Sequence, residues 1–170
     1  PDQIISNGSD VFLLSQENLR VYRWSIANSA YTNPLFVGIK LGLSHIAPIK
    51  IAYSAAHNRL YLGYSTGQIS YIDLAGSSEE VAFTNLSLTM RGLASVGNFL
   101  LAAESSVIGT QRQHHVLDIN GIIKHSESAR PDFQAYAWNP SNSKVYHMGD
   151  GTAWGFEIID QVSGQMIFPT

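Results

Sequence analysis

The sequence predicts an all-β fold made of repeated units, and three observations support this prediction. Short runs of four to six residues, rich in β-branched and aromatic side chains, alternate with turn-forming residues; the clearest are 49–53, 60–64 and 69–73. None of these runs is long enough for a normal helix. The same order of strands and turns then returns, with matching aspartates 45 and 42 residues apart. A period of about 40 to 50 residues with four strands per unit is typical of a β-propeller.

The repeat divides the chain into four units, each predicted to be a four-stranded antiparallel blade of one domain that covers residues 1–170. Asp73, Asp118 and Asp160 end the third strands of three units, and a glycine turn follows each of them. A more divergent unit comes first, with strands at 11–14 and 19–24 and a longer connection through residues 33–39. The predicted blades are roughly 1–42, 43–86, 87–127 and 128–170.

Elementary physics explains why such units would stack. A sheet that is apolar on both faces cannot bury both alone, and radial stacking buries them against neighbouring sheets. The aspartates are expected to close turns, because an Asp side chain can accept hydrogen bonds from backbone N–H groups two residues on. A β-sandwich would also contain short strands and regular turns, but it needs no 42-residue period. Because the first unit is divergent, we expect an incomplete propeller whose terminal blades are covered by another chain or segment.

Composition limits the class of protein. The 170 residues are 45% hydrophobic and 14% charged, which argues against disorder. The net charge of −3 and pI of about 6.0 do not suggest nucleic-acid binding. The sequence contains no run of about 20 apolar residues, so it does not predict a membrane-spanning helix. The absence of cysteine excludes disulfides and Cys-ligated zinc, and together with few charges it favours a secreted, periplasmic or cell-surface bacterial protein.

One segment resembles a known repeat. Residues 51–76, IAYSAAHNRLYLGYSTGQISYIDLAG, resemble a blade of the YVTN-type bacterial propellers, which belong to the quinoprotein-like and WD40-like group. Residues 136–164 share the likeness, whereas the Gly-His and Trp-Asp signatures of WD40 repeats and the kelch double glycine are not seen. The resemblance implies a propeller and an exported protein that displays a binding surface. It carries over no catalytic residues, because the shared motif is structural.

Two connections between second and third strands are longer than a hairpin needs, and unneeded loop length suggests function. The first, residues 104–113, contains Glu104, Gln111, Arg112 and Gln113, which we expect to be exposed. Amide and guanidinium groups suit sugar hydroxyls or peptide backbone, because both ligands present donors and acceptors. The alternative is an ordinary solvated loop. The adjacent His114 and His115 should point to opposite faces of a strand, so they should not bind one metal together.

The second connection, residues 149–155, places Asp150 and Trp154 among glycines. An exposed Trp154 would offer a flat platform for a sugar or a peptide, whereas the alternative packs it between blades. A single carboxylate at Asp150 is too few for a calcium ion, which takes six to eight oxygen ligands. We therefore expect no metal and no cofactor. Arg91, Arg130 and Asp132 fall in blade-to-blade connections, where they are either ordinary surface charges or groups facing one end of the channel.

The function predicted from these features is a non-catalytic exported or cell-surface module that binds protein or glycan through one loop face. The expected partners are that ligand and either remaining blades or a second copy of the chain. One alternative is a propeller hydrolase or lactonase-like enzyme with a site in the central channel, which would require Glu104, Arg112, Asp150 and His147 to converge. Another is a purely structural segment of a larger surface protein. The nucleophile-elbow, phosphate-loop and zinc-protease motifs are not found in the sequence.

Overall fold

The computed structural model describes residues 1–27, 30–31, 36–37, 46–75, 79–86, 89–105, 112–130, 135–148 and 154–167. These residues form antiparallel sheets and contain no helix. The sheets are four blades arranged as a four-blade β-propeller, as the repeat predicts. In each sheet the first four strands pair in chain order, which is the meander order, and only the additional strand of the first sheet departs from it among the described residues.

The first blade differs from the others in its fourth strand. Its strands are β1 (Gln3–Ser6), β2 (Asp10–Ser15), β3 (Arg20–Ser25), β4 (Ala30–Tyr31) and β5 (Phe36–Val37). The two short strands β4 and β5 both pair with β3, β4 with its end and β5 with its start. Together they occupy the fourth-strand place, so part of the run assigned from sequence to a connection belongs to the blade.

The other three blades each contain four strands. The second consists of β6 (Pro48–Ser54), β7 (Arg59–Tyr64), β8 (Gln68–Asp73) and β9 (Glu80–Asn85). The third consists of β10 (Thr89–Val96), β11 (Phe99–Ser105), β12 (Arg112–Leu117) and β13 (Ile123–Arg130). The fourth consists of β14 (Ala135–Asn139), β15 (Lys144–Met148), β16 (Trp154–Ile159) and β17 (Met166–Ile167).

The apolar core lies between neighbouring blades, because alternate residues of each strand face opposite sides of the sheet. Phe12 and Leu14 of the first blade pack on Leu60 of the second. Tyr61, on the opposite face of the second blade, belongs to a cluster shared with the third blade. A third cluster joins Val96, Phe99 and Val116 to Val145 and Ile159. The first strands β1, β6, β10 and β14 follow one another around the centre.

Polar side chains also join and brace the blades. The Gln3 amide donates to the Ile51 carbonyl (2.9 Å) and accepts from the Ile51 N–H (2.8 Å), which clasps the first blade to the second. Within the second blade, the carboxylate of Glu80 accepts hydrogen bonds from the hydroxyls of Tyr64 and Ser70. Burial raises the pKa of Glu80 despite these two bonds.

The three aspartates of the repeat act as predicted. Asp73 ends β8, and Asp118 and Asp160 come directly after β12 and β16. Each carboxylate accepts a hydrogen bond from the N–H two residues later, at distances of 2.9, 2.9 and 3.2 Å. At Asp160 these bonds to the turn, above all that from the Ser163 N–H, lower the pKa of the carboxyl. The prediction that they close the turns after third strands is confirmed.

Candidate functional site

The predicted site residues do not all lie where the sequence placed them. Glu104 lies in β11 and is only 1% exposed, so the expectation that it projects from the surface is wrong. Its Oε2 lies 3.0 Å from Nε2 of His115, whose Nδ1 lies 2.7 Å from Oγ of Ser126. The side chain faces inward, where the histidine on the adjacent strand provides a partner for one of its two carboxylate oxygens.

Three of the other predicted ligand-binding residues lie in strands that flank the two long connections. Gln113 is exposed in β12, and Arg112 begins that strand with its backbone paired to Arg130. Trp154 begins β16, paired through the backbone with Met148. Gln111 and Asp150 lie outside the described residues, as do the side chains of Arg112, His147 and Trp154 and all of Asp132. Whether these groups converge is therefore still a prediction.

The adjacent histidines point to opposite faces of β12, as predicted. His114 is fully buried, and its Nδ1 lies 3.1 Å from Oε1 of Glu157 in the neighbouring blade. His115 instead faces Glu104 and Ser126 of its own blade. The two imidazoles therefore serve different sides of the sheet: one fastens the third blade to the fourth, and the other braces the third blade internally.

A cavity of about 350 Å³ opens at the start of the first strands of the second and third blades. We call it the basic cleft, and its lining residues are Gln16, Ile49, Lys50, Thr89, Met90 and Arg91. Gln16 follows the end of β2, in the connection between second and third strands. Thr89 pairs in register with Ser105, the last residue of β11, where the 106–111 connection starts. The basic cleft thus lies on the face of the propeller that sequence reasoning selected for binding.

Two β-bulges shape the basic cleft. The pairing register shifts between Pro48 and Lys50 in the second blade and between Met90 and Gly92 in the third. A bulge turns side chains away from the regular alternation of a strand and is common next to binding sites. These two bulges lie at the starts of first strands in consecutive blades, and they bring Lys50 and Arg91 to the same cavity.

Two neighbouring cations set the electrostatics of the basic cleft. Partial burial lowers the pKa of Lys50, and the neighbouring Arg91 charge lowers it further. The ammonium form of Lys50 is thus less favourable there than in water. Arg91 itself is exposed and can form paired hydrogen bonds with a carboxylate or a sulfate. The sequence predicted Arg91 in a blade-to-blade connection, as either an ordinary surface charge or a group facing one end of the channel, whereas it lies in β10. Lys50 was not among the predicted residues.

A second cavity, of about 200 Å³, lies at the centre of the propeller. First strands from all four blades line it, with residues that include Ile5, Tyr53, Leu93, Ser95 and Trp138. Tyr136 also lines it, and burial raises the pKa of that phenol well above its usual range, with a further rise from the charge of Glu157. The described lining therefore combines aromatic and aliphatic side chains with serine and tyrosine hydroxyls and the Gln3 amide.

Across the described ranges, no helix is long and apolar enough to cross a membrane. In the same part of the chain, no three His, Asp or Glu side chains come together as a metal site would need.

Comparison with known proteins shows the fold but no family. The chain matches no protein-family model and no curated protein. It is similar in structure to a chain of the mitotic checkpoint complex, with TM-score 0.67 and 15% identity over 96% of this chain and 48% of that one. It is also similar to a 6-phosphogluconolactonase-like protein of Bacteroides uniformis, with TM-score 0.67 and 12% identity over 96% of this chain and 52% of that one.

A third similar structure is BamB from Moraxella catarrhalis, with TM-score 0.58 and 13% identity over 86% of this chain and 39% of that one. The chain therefore spans about half the length, or less, of these solved structures. Identities this low support the β-propeller fold alone. The likeness to the YVTN type is thus confirmed at the level of the propeller and not at the level of that family.

Proposed function

We propose that this chain is a non-catalytic binding module that holds a protein or glycan ligand on its loop face, with an anionic group of the ligand in the basic cleft. The suitable ligands are an acidic peptide segment or a sulfated or carboxylated sugar. The observation that carries the proposal is the meeting of Lys50 and Arg91 at two bulged strand starts.

The chemistry of the basic cleft supports an anionic group within a larger polar ligand. Its volume of about 350 Å³ is near the lower end for ligand pockets, which suits one side chain or one sugar ring. The Gln16 amide and the Thr89 hydroxyl both donate and accept hydrogen bonds, as peptide backbone and sugar hydroxyls require. Because the whole chain carries a net charge of −3, attraction of an anion must come from this local pair of cations.

The two long connections extend the proposed surface. Gln111, Arg112 and Gln113 would contact the polar part of the ligand, and Asp150 and Trp154 would supply a carboxylate and an aromatic platform. Glu104, being buried, would act by holding His115 and the end of β11 in place. The proposed surface thus follows one face of the propeller from the basic cleft across the third and fourth blades.

The proposed setting is outside the cytoplasm, in a secreted, periplasmic or cell-surface position. The support is compositional: the chain has no cysteine and only 14% charged residues. One similar structure, BamB, comes from the bacterium Moraxella catarrhalis. Another belongs to a mitotic checkpoint complex, and a propeller fold within a complex supports a partner-binding role without identifying the partner.

Binding can be tested with defined probes. Isothermal titration calorimetry would measure the affinity of a heparin-derived oligosaccharide and of a poly-glutamate peptide, with neutral dextran as the uncharged comparison. We expect Lys50→Gln and Arg91→Gln each to weaken binding of at least one anionic probe about tenfold, since a hydrogen bond to a charged group contributes about 1.5–3 kcal/mol. Trp154→Ala tests the aromatic platform on the same probe.

The matched control is Lys124→Gln, which removes an exposed cation in β13, away from the basic cleft. It should leave affinity unchanged, apart from the small general effect of net charge. Equal loss in all three variants, or binding that is indifferent to Lys50 and Arg91, would contradict the assignment of the basic cleft.

A further inference from the structure

The second blade shows what normally covers one face of a blade. On that face Tyr61 pairs in register with Tyr71, and the guanidinium carbon of Arg59 lies 4.0 Å from the centre of the Tyr71 ring. Tyr61 is fully buried, in a cluster with Met90 and Leu93 from the first strand of the third blade. The next blade therefore covers this face, with its first strand and with Leu100 of its second strand.

The fourth blade repeats the same arrangement without the cover. Tyr146 pairs in register with Phe156, and Nζ of Lys144 lies 4.2 Å from the centre of the Phe156 ring. Tyr146 is 42% exposed, and Ile167, which pairs with Ile158 on the same face, is 49% exposed. The opposite face of this blade is buried against the third blade. We call this uncovered face the leading face.

The first blade also has an uncovered face, on the side away from the second blade. Ile4 pairs in register with Leu13, and Leu13 pairs with Tyr22, so these three residues share one face. Ile4 is 59% exposed, whereas Phe12 on the other face is fully buried against the second blade. We call this uncovered face the trailing face. The first strand of this blade, β1, contacts β2 of its own blade and β6 of the second blade.

We propose that a second copy of this chain covers both faces, with the leading face of each copy packed on the trailing face of the other. The three blade contacts within the chain are all of this one kind, leading on trailing. The two faces left over are the two halves of a fourth such contact. A two-fold axis between copies would make that contact twice and close a ring of eight blades, which leaves neither face uncovered.

Apolar residues left exposed on both faces provide the surface that a dimer would cover. Each contact would cover Tyr146 and Ile167 of one copy, which are 42% and 49% exposed, and Ile4 of the other, which is 59% exposed. The half-buried Phe156 and Tyr22 lie on the same two faces. A two-fold dimer makes this contact twice, so every one of these side chains is covered in both copies.

The mass of the full chain in solution tests this proposal, measured by sedimentation velocity and by light scattering. The wild-type chain should have the mass of two chains. Ile4→Glu and Tyr146→Lys, each placed on one partly exposed residue, should have the mass of one chain at the same concentration. Val162→Lys is the control, because this 92% exposed residue lies in a turn outside both faces, and it should keep the double mass.

A mixture of the two variants identifies the geometry. In a leading-on-trailing dimer, one copy of each variant sets the carboxylate introduced by Ile4→Glu against the ammonium introduced by Tyr146→Lys in one contact. The other contact keeps its wild-type residues, so the double mass should return. Wild-type chain that stays single at every soluble concentration would overturn the proposal, and so would growth into open filaments or a mixture that stays single. Circular dichroism spectra equal to wild type establish that each variant is folded.

Crosslinking provides a second measurement that does not depend on variant stability. Because the chain has no cysteine, Ile4→Cys and Tyr146→Cys carry one thiol each. A short bismaleimide should join the two single-cysteine variants to each other far more than it joins either one to itself. Preferential joining of like variants would contradict the leading-on-trailing contact.

Discussion

The buried pair between His114 and Glu157 allows a sharp test of how the third and fourth blades are held together. Both side chains are 0% exposed, and their polar atoms lie 3.1 Å apart. Replacing Glu157 with Leu removes the carboxylate that contacts the imidazole and puts an apolar side chain of similar size in its place. Because Glu157→Leu removes a hydrogen bond between two fully buried polar groups, we expect it to lower the free energy of unfolding by about 1–3 kcal/mol.

A double-mutant cycle separates the pair from its surroundings. His114→Leu alone should cost a similar amount, for the same reason. The double variant should cost no more than about 2 kcal/mol, because replacing both members with apolar groups is often close to neutral. The two single effects should therefore not add, and the difference measures the coupling across the blade contact.

The free energy of unfolding is measured by urea titration, monitored by circular dichroism and by the fluorescence of the three tryptophans. The chain contains its own control in the pair of His125 and Glu127, which lies 3.5 Å apart with side-chain exposures of 19% and 37%. Glu127→Leu should change stability by less than about 1 kcal/mol. Single variants at the buried pair that cost as little as the control, or a double variant equal to the sum of the singles, would refute this reasoning.

Four further outcomes follow from the described contacts. Glu80→Gln keeps the acceptor oxygen and removes a carboxylate whose pKa is raised by burial, so it should gain up to about 1 kcal/mol at neutral pH, a gain that disappears as acid protonates Glu80. Gly92→Ala should cost about 1–3 kcal/mol, because its Cβ would overlap the Tyr136 ring. Asp10→Asn should cost about 1–2 kcal/mol at pH 7, since the hydrogen bond from a guanidinium lowers the pKa of Asp10. Anion binding should weaken with rising pH earlier than ordinary lysine titration predicts, because the pKa of Lys50 is lowered.

The outcomes for Glu80→Gln and Asp10→Asn depend on pH, and this dependence tests each of them. The stability of the wild type relative to Glu80→Gln should fall as pH rises through the raised pKa of Glu80, and a constant difference would contradict its burial. The advantage of wild type over Asp10→Asn should be full above about pH 4 and lost as pH falls through the lowered pKa of Asp10. Thermal melts with buffer controls measure both. A Gly92→Ala chain as stable as wild type would show that the Tyr136 ring can move aside.

The strands and turns were predictable because their signals are local. The run 60–64 is apolar and aromatic between turn residues, and it lies within β7. The aspartates at the ends of third strands were recognisable from the repeat alone, because the hydrogen bond each accepts reaches only two residues ahead. Local chemistry of this kind does not depend on which blades become neighbours.

The basic cleft and the burial of Glu104 were not predictable in the same way. Lys50 and Arg91 are 41 residues apart and meet only because bulges occur at two strand starts, a feature with no sequence pattern here. Glu104 reads as the start of a polar loop, and its burial depends on His115, which pairs from the adjacent strand. The resemblance of Tyr146 to Tyr61 was visible in the repeat, but only exposure shows that one is covered and the other is not.

The central claim, that the loop face binds through the basic cleft, is tested most directly by mapping the contact on the protein. Titration of the isotope-labelled chain with a heparin-derived oligosaccharide or a poly-glutamate peptide would be followed by backbone amide chemical shifts. We predict that the largest shifts fall at Gln16, Lys50, Thr89 and Arg91 and continue into residues 111–113. Shifts confined to the central cavity around Ser95 and Trp138, or to the turns after Asp118 and Asp160 on the opposite face, would contradict the claim.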